Sequence, residues 1–365
     1  MADELRYQHF EGVRTENGRV YFEGPMAECA RANLRLRCGE RVLLRLASFP
    51  AYTFEDLFQG VKSIPWADYL QSDSIFPVVG YCVGSQLHSV PDCQRIIKKA
   101  VVECLKERYN LSWFLETGVK YQIRFALLED QAEIYLDTTG APLYKRGYRL
   151  ATQQAPLRET LAASLVKITR YRGREELIDP FCGSGTLAIE AAMVCCRIAP
   201  GARRSFDGAD WLFEDNACWE EERQRALGDE VREKLPITVS DISGEAVELA
   251  RENARRAGVE DLITIRRADA LGLPYTGRKG VLLTNPPYGQ RLSTQEEARA
   301  LYDGLGRVLH QTPGLKKYII TSDPEFETYF GAKADKRRKL YNGMLKCQLF
   351  MYYKQAVEEG REKRR

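Results

Sequence analysis

The feature that most constrains the fold is a glycine-rich turn between a short apolar run and a helix. The run from Leu177 to Asp179 is typical of a buried strand, and the turn after it contains Gly183 and Gly185. Small apolar side chains then recur at helical spacing: Leu187, Ile189, Ala191, Ala192 and Val194. Glycines there permit positive φ and a close backbone approach to a ligand, while the helix N-terminus presents N–H groups to an anion. The pattern predicts an α/β domain with a cofactor loop at the end of a strand.

The spacing in this loop excludes two common phosphate-binding motifs. The segment contains neither G-x-G-x-x-G nor G-x-x-x-x-G-K-[ST]. The pattern D-x-F-x-G-x-G suits a cofactor with an amino-acid end, such as the methionine part of S-adenosylmethionine. We therefore expect contacts to this cofactor from Asp179, Phe181, Gly183, Gly185 and Thr186.

Two further acids follow predicted strands downstream. The β-rich run from Ile237 ends at Asp241, which could bind ribose hydroxyls as an acid does in dinucleotide folds. An amphipathic helix is predicted over 243–257, and the strand 263–267 precedes Asp269, which could accept a hydrogen bond from an adenine amino group. The cofactor residues predicted in these two turns are Asp241, Ile242, Asp269 and Ala270.

A fourth strand-end sequence, Asn-Pro-Pro-Tyr, follows the apolar run 281–284. The amide oxygen of Asn285 and the carbonyl of Pro286 can each accept a hydrogen from an exocyclic amine, and Tyr288 can stack on a flat ring. Alone, such a sequence is also typical of a simple turn. Its register with the glycine loop and the acids favours a catalytic role for Asn285, Pro286, Pro287 and Tyr288.

These sequences resemble the THUMP-domain RNA methyltransferases, and more narrowly the bacterial 23S rRNA guanine-N2 methyltransferase group. The resemblance depends on the segments 145–149, 155–160 and 285–291. It implies an α/β protein with a C-terminal Rossmann-like, seven-stranded class I methyltransferase domain and an N-terminal α+β ferredoxin-like/THUMP module. The expected parts are an abbreviated ferredoxin-like segment 1–50, because little precedes Val20, a THUMP domain 51–150, a methyltransferase domain 151–354 and a charged tail 355–365.

The remaining pattern predicts elements on both sides of the cofactor loop. The predicted N-terminal strands are 41–48, 76–83, 121–128 and 132–137, with helices at 53–63 and 91–109, and the predicted C-terminal strands are 317–321, 338–341 and 345–353. An insertion at 197–236, with a helix over 217–234, carries Arg203, Arg204, Trp211, Phe213 and Trp219. Its aromatic side chains could stack on a nucleotide, but the preferred interpretation is that they fix the insertion to its own domain.

Charge gives a weaker indication of the partner. The chain has 54 basic and 51 acidic residues, a net charge of +3, which does not by itself indicate nucleic acid. Basic side chains are nevertheless clustered, and phosphate contacts by them would give salt-dependent binding. The predicted RNA-binding residues are Lys98, Lys99, Lys145, Arg146, Tyr148 and Arg149. For Lys98 and Lys99, a solvated helix face is an equal alternative.

The sequence favours a cytoplasmic protein without metal. The ten cysteines include no C-x-x-C pair, and reduced thiols packed as small apolar groups are the expected state. No apolar run reaches the roughly 20 residues of a membrane span. We therefore expect neither a metal site nor a membrane partner.

The function implied by the resemblance is methylation of the N2 amine of a guanine in RNA, most simply 23S rRNA or a ribosome assembly intermediate. Direct displacement at the sulfonium methyl needs alignment of the amine and no covalent intermediate, so Cys182 is interpreted as a packing residue. Three alternatives stay open: N6 methylation of adenine in DNA or RNA, methylation of a protein glutamine, and a non-catalytic RNA-binding assembly factor.

Overall fold

The computed structural model describes residues 1–16, 18–149, 157–213, 216–287 and 295–354. Its α-helices are α1 Ala2–Tyr7, α2 Met26–Arg35, α3 Phe54–Lys62, α4 Val90–Tyr109, α5 Glu159–Thr169, α6 Thr186–Cys195, α7 Ala217–Gly228, α8 Gly244–Arg256, α9 Gln295–His310 and α10 Phe326–Phe330. Its strands are β1 Glu11–Glu16, β2 Arg19–Glu23, β3 Leu43–Pro50, β4 Val78–Val83, β5 Ile123–Leu128, β6 Gln131–Asp137, β7 Glu176–Asp179, β8 Ile237–Asp241, β9 Thr264–Arg267, β10 Gly280–Thr284, β11 Leu315–Thr321, β12 Lys336–Asn342 and β13 Leu345–Tyr352.

The chain divides into two compact units. The first unit comprises Met1–Leu143 and Ala199–Gly228, and the second comprises Tyr144–Ile198 and the chain from Asp229 onward. No helix in the described ranges is both long enough and apolar enough to cross a membrane.

The first unit contains a four-stranded sheet in the order β3-β6-β5-β4. The pair β4–β5 is parallel and the other two pairs are antiparallel. Helices α3 and α4 cover its apolar side chains in one core. Helix α3 begins where Thr53 and Asp56 form a capping box, in which the Thr53 hydroxyl accepts from the Asp56 N–H and the Asp56 carboxylate accepts from the Thr53 N–H. The predicted strands and helices of this module lie within a few residues of the observed ones.

The N-terminal segment is more structured than expected. Contrary to the prediction that little precedes Val20, helix α1 and strand β1 lie before it, β1 and β2 form an antiparallel hairpin, and α2 follows. Strand β3, placed by the sequence in the segment 1–50, is an edge of the four-stranded sheet. The hairpin escaped prediction because β1 is exposed along nearly its whole length, so no apolar alternation marks it.

The insertion after α6 packs with the first unit, not with the catalytic domain in which the sequence placed it. Trp211 is fully buried against Tyr121 of the four-stranded-sheet core, with the ring centroids 5.5 Å apart, and its indole N–H donates to the Lys120 carbonyl at 3.2 Å. Trp219 lies in a second core with Phe206. The aromatic side chains therefore fix the insertion as expected, but to the first unit and not to the catalytic domain. The helix predicted over 217–234 ends earlier, at Gly228.

The second unit contains a seven-stranded sheet in the order β12-β13-β11-β10-β7-β8-β9. The strands from β11 to β9 are parallel, and β13 pairs antiparallel with both β11 and β12. Alternate residues enter different cores: Leu177 and Val281 pack on one face, Ile178 and Leu282 on the other. The prediction of a seven-stranded Rossmann-like domain ending in an antiparallel hairpin is confirmed.

The strand order reverses between β7 and β10, because the chain passes from β7 to β8 on one side and returns to β10 on the other. In open α/β sheets, ligands bind outside the carboxyl ends of strands at such a reversal. The strand ends that bear the predicted site residues therefore meet at one edge of the sheet.

Candidate active site

The glycine loop lies open on one side. Gly183 has a φ of +50°, and a Cβ built on it would meet no heavy atom within 4 Å. Gly185 has a φ of +79° and forms the N-cap of α6, where a Cβ would lie 3.1 Å from the Cβ of Ala250. Gly183 thus leaves space above the loop, while Gly185 provides both the left-handed turn and close packing of α8. Thr186 is the first residue of α6, and the N–H groups of a helix's first turn have no acceptor within the helix.

Asp241 connects the glycine loop to the next turn. One of its carboxylate oxygens accepts from the Gly183 N–H and the other from the Ser243 N–H, both at 3.0 Å. Its neighbour Ile242 is 63% exposed. The carboxylate is therefore fixed at the rim of the open space above the loop, in a position that suits the predicted ribose contact.

The third acid, Asp269, caps a short turn. One carboxylate oxygen accepts from the Leu271 N–H at 3.0 Å, and the side chain is exposed, whereas Ala270 is buried. Both residues follow β9, at the same edge of the sheet as Asp241. This geometry is compatible with the predicted adenine contact of Asp269.

Asp179 is the most buried acid of the site, with 1% of its surface exposed. Its Oδ1 accepts from the Thr284 hydroxyl at 2.6 Å and from the Phe181 N–H at 3.1 Å. Burial raises its pKa to about 7, against the opposing effect of these hydrogen bonds. A cationic ligand bound beside this carboxyl would favour its charged form.

Asn285 follows the fully buried strand β10. Its Oδ1 is buried, and no donor among the described residues lies within hydrogen-bond distance. A hydrogen bond fixes the turn after Asn285, because the buried Tyr302 hydroxyl donates to the Pro287 carbonyl at 3.4 Å. Pro286 is buried. Tyr288 lies outside the described residues.

The structure contradicts the predicted RNA contacts of the segment 145–149 in part. Arg146 and Tyr148 are buried, with 6% and 4% of their surfaces exposed. The Tyr148 hydroxyl donates to Glu190 at 3.1 Å, and Arg146 lies 3.5 Å from the same carboxylate. A phosphate cannot reach side chains enclosed in this way, so these two residues are corrected to packing residues of the second unit.

Arg149 is also engaged within the domain. It donates to the Thr186 hydroxyl at 2.7 Å and to the Leu157 carbonyl at 2.8 Å, and lies 3.5 Å from Glu159. Its bond to Thr186 supports the first turn of α6, and RNA contact by Arg149 stays a prediction that would have to compete with these bonds. Of the four predicted residues in this segment, Lys145 is the one with an exposed side chain.

Lys98 and Lys99 lie on α4 in the first unit, and both have partners. Lys98 pairs with Glu116 and lies 3.8 Å from the centre of the Phe76 ring. Lys99 lies 3.8 Å from Glu103 and 5.3 Å from the Phe58 ring centre. RNA contact by these lysines remains a prediction, and it would have to compete with the ion pairs.

Three site-supporting residues escaped the sequence analysis: Thr284, Glu159 and Glu190. Glu190 could have been found, because a single acid within the apolar helix α6 is a signal of a buried partner. Thr284 gives no such signal, since a threonine is ordinary in a strand. Cys182 is buried, which raises the pKa of its thiol. No cluster of three or more His, Cys, Asp or Glu side chains able to hold a metal occurs within the described ranges.

Known proteins similar to this chain agree with this architecture. Residues 146–350 match the RMKL-like methyltransferase domain, residues 1–43 the RlmL ferredoxin-like domain and residues 51–137 the THUMP domain. The chain is 41% identical to Bacillus subtilis YpsC over 361 residues, which cover 97% of this chain and 92% of YpsC. It is 35% identical to the ribosomal RNA large subunit methyltransferase K/L of Psychromonas ingrahamii, covering 96% of this chain but 48% of that relative, about half its length.

Two solved structures are close in both sequence and fold. SMU.472, crystallised with S-adenosylhomocysteine, is 39% identical with a TM-score of 0.89, and the match covers 96% of this chain and 94% of that one. A Listeria monocytogenes protein described as a predicted N6-adenine-specific DNA methylase is 41% identical with a TM-score of 0.90, covering 96% and 92%.

Proposed function

Because this chain belongs to the RMKL-like methyltransferase family, we propose that it transfers a methyl group to the exocyclic N2 amine of a guanine in RNA. The cofactor is S-adenosylmethionine, the methyl donor of this family. When bound, it supplies an electrophilic methyl group on a sulfonium.

The observation that carries the proposal is the buried Oδ1 of Asn285, which has no donor in the described part of the chain. Buried polar atoms without a partner are uncommon and cost roughly 1–3 kcal/mol. An incoming amine would satisfy this atom. Asn285 follows β10, which pairs with the strand β7 that precedes the glycine loop, and this pairing supports an acceptor site next to the proposed cofactor site.

In this proposal each site residue has one task. Asn285 Oδ1 and the Pro286 carbonyl accept the two amine hydrogens, Pro287 fixes the turn, and Tyr288 stacks on the base. Asp179, Phe181, Gly183, Gly185 and Thr186 shape the cofactor loop, and Asp241, Ile242, Asp269 and Ala270 hold the nucleoside end. The carboxylates and the open space above Gly183 fit a cofactor that is cationic at sulfur and carries hydroxyl and amino donors. Alignment of two bound reactants can supply about 7–11 kcal/mol of rate enhancement.

The choice of RNA, and of rRNA in particular, draws on the similar proteins. The THUMP match and the rRNA methyltransferase name of the K/L relative favour 23S rRNA or a ribosome assembly intermediate as the acceptor, in the cytoplasm. Since the chain spans about half of that relative, its activity is carried over as a proposal. The acceptor nucleotide must leave its helix or lie in a loop to reach Asn285.

The second candidate is N6 methylation of adenine. It is favoured by the name of the similar Listeria protein and by chemistry, because an adenine amine would satisfy Asn285 equally well. A third, non-catalytic RNA-binding assembly factor, is disfavoured by the presence of a competent residue at each strand end.

Methyl transfer from isotopically labelled cofactor to rRNA of a strain that lacks the gene tests the proposal. Nucleosides from the labelled RNA are then identified by mass spectrometry. Labelled N2-methylguanosine supports the proposal, and labelled N6-methyladenosine supports the second candidate instead. Binding of RNA without transfer would leave only the non-catalytic function.

A further inference from the structure

The β12–β13 hairpin carries a dense group of cations. Residues 336–346 contain five basic side chains and no acid: Lys336, Arg337, Arg338, Lys339 and Lys346. All five residues are exposed. We call this segment the basic hairpin.

Most of this positive charge is not neutralised locally. Arg337 pairs with Glu327, but no carboxylate in the described ranges lies within ion-pair distance of Lys336, Arg338, Lys339 or Lys346. Helix α8 of the same unit behaves differently. There, Arg251 pairs with Glu248, and Arg255 pairs with Glu252, each at 2.6 Å. The basic hairpin therefore presents a net positive surface, whereas α8 presents balanced charge.

The tip of the basic hairpin lies at the active-site edge of the sheet. Strand β13 runs antiparallel to β11 and pairs Gln348 with Thr321, the last residue of β11, so the tip at 342–345 extends beyond that end. Strand β10 is parallel to β11, so Asn285, which follows β10, lies at the same edge of the sheet. Three strand intervals of about 4.8 Å separate β10 from β12, so these two strands lie about 14 Å apart across the sheet.

The tip also exposes an aromatic ring and a long apolar side chain. Tyr341 is 55% exposed and Met344 is 99% exposed. The Lys339 ammonium lies 5.2 Å from the centre of the Tyr341 ring. The turn is anchored, since the Arg158 N–H donates to the Asn342 side chain at 3.0 Å. Exposed rings beside cations are typical of surfaces that bind unpaired nucleic acid.

We propose that the basic hairpin binds the unpaired RNA that flanks the acceptor nucleotide. Lys339 and Lys346, which lie on the same face of the hairpin as Tyr341, contact backbone phosphates on that face, and Arg338 contacts phosphates from the opposite face. Tyr341 stacks on a neighbouring base. The inference rests on the proposed function, because it requires an RNA acceptor at Asn285. Cations on an edge strand also prevent pairing with another sheet edge, but that role does not account for the exposed apolar tip.

The test uses the full-length protein and in vitro transcribed, unmodified 23S rRNA. Binding is measured against KCl concentration for wild type, for the triple variant Arg338→Gln, Lys339→Gln and Lys346→Gln, and for Tyr341→Ala. The matched control is Arg251→Gln, Arg255→Gln and Arg256→Gln on α8, which also removes three cations, each of them paired with an acid. Thermal unfolding and S-adenosylhomocysteine affinity are followed in parallel.

We expect the triple variant to bind roughly tenfold more weakly, with a salt slope shallower by about 2, since each lost phosphate contact removes about 0.7–0.9 from the slope. Tyr341→Ala should weaken binding with the slope unchanged. The α8 control should bind as wild type, and cofactor affinity should stay constant throughout.

An unchanged salt slope in the triple variant, with wild type methylating RNA, overturns the hairpin inference and leaves the proposed function intact. Aggregation of the triple variant with unchanged RNA affinity also overturns it, and assigns the cations to edge protection. A shallower slope in a protein that never transfers methyl groups supports the hairpin surface while contradicting the proposed function. A wild-type protein that does not bind RNA contradicts both.

Discussion

The Thr284 hydroxyl donates to Asp179 Oδ1 at 2.6 Å, and this bond joins the strand that precedes the proposed amine site to the strand that precedes the proposed cofactor loop. Thr284 immediately precedes Asn285, and Asp179 immediately precedes the glycine-rich turn. This side-chain bond adds to the backbone pairing of β7 with β10 and fixes the two strand ends relative to each other. The two halves of the proposed site are held in one geometry.

The buried carboxyl of Asp179 should make stability depend on pH. Burial raises the pKa of this carboxyl from its ordinary value of 3.8 to about 7, so the folded state binds more protons than the unfolded chain between these values. The free energy of unfolding should therefore fall as pH rises from about 4 to about 7, and this contribution should stay level above. Asp179→Asn keeps an oxygen for Thr284 and Phe181 but cannot ionise.

The free energy of unfolding is measured by urea denaturation without cofactor at pH 5 and at pH 8. Between these two pH values, the free energy of unfolding of Asp179→Asn should rise by about 2 kcal/mol relative to that of wild type. Asp241→Asn is the matched control, because it makes the same substitution at a less buried carboxyl that also accepts backbone hydrogen bonds. If the free energy of unfolding changed with pH in the same way for wild type and Asp179→Asn, the raised pKa assigned to Asp179 would be contradicted.

Arg146 should behave as a structural residue. Arg146→Ala removes a buried cation that faces Glu190, and leaves that carboxylate enclosed without it. We expect a loss of about 3–5 kcal/mol in the free energy of unfolding. Lys145→Ala, which changes the exposed neighbour, should alter stability by less than about 0.5 kcal/mol. A stable Arg146→Ala protein whose RNA binding alone is weakened would restore the original prediction of a phosphate contact.

Trp211 should stabilise the first unit and not contact RNA. Trp211→Ala opens a cavity beside Tyr121 in the core, at a cost of about 3–5 kcal/mol. Trp113→Ala is the control, because Trp113 is 76% exposed in the same unit. Chemical denaturation and hydrogen exchange of β5 and β6 would measure the difference. Equal stability of the two variants would show that Trp211 is not a core residue.

Sequence alone predicted the second unit well because each of the strands β7, β8, β9 and β10 ends in, or is closely followed by, a polar residue of the expected site. Parallel strands that share one edge bring Asp179, Asp241, Asp269 and Asn285 together by topology, so linear order was sufficient. The glycines completed the pattern, since their positive φ values are required by the turn.

The failures have a different physical origin. In the sequence, Arg146 and Tyr148 resemble part of an exposed basic cluster. The residues around them in the chain do not indicate that Glu190, about 40 residues away, is their buried partner. Trp211 belongs to a core formed by residues far upstream, so its partner could not be derived from neighbours. Both errors arise where long-range packing overrides a local pattern.

The most direct test of the account separates acceptor alignment from cofactor binding at Asn285. Asn285→Ala removes the amide oxygen that we propose holds the amine, and leaves the glycine loop and acids unchanged. Single-turnover methyl transfer to RNA at saturating cofactor is measured with the cofactor Kd of the same variant. We predict a rate reduced by about 100-fold or more, with a cofactor Kd within about threefold of wild type. A collapse of cofactor affinity, or an unchanged transfer rate, would contradict the central claim.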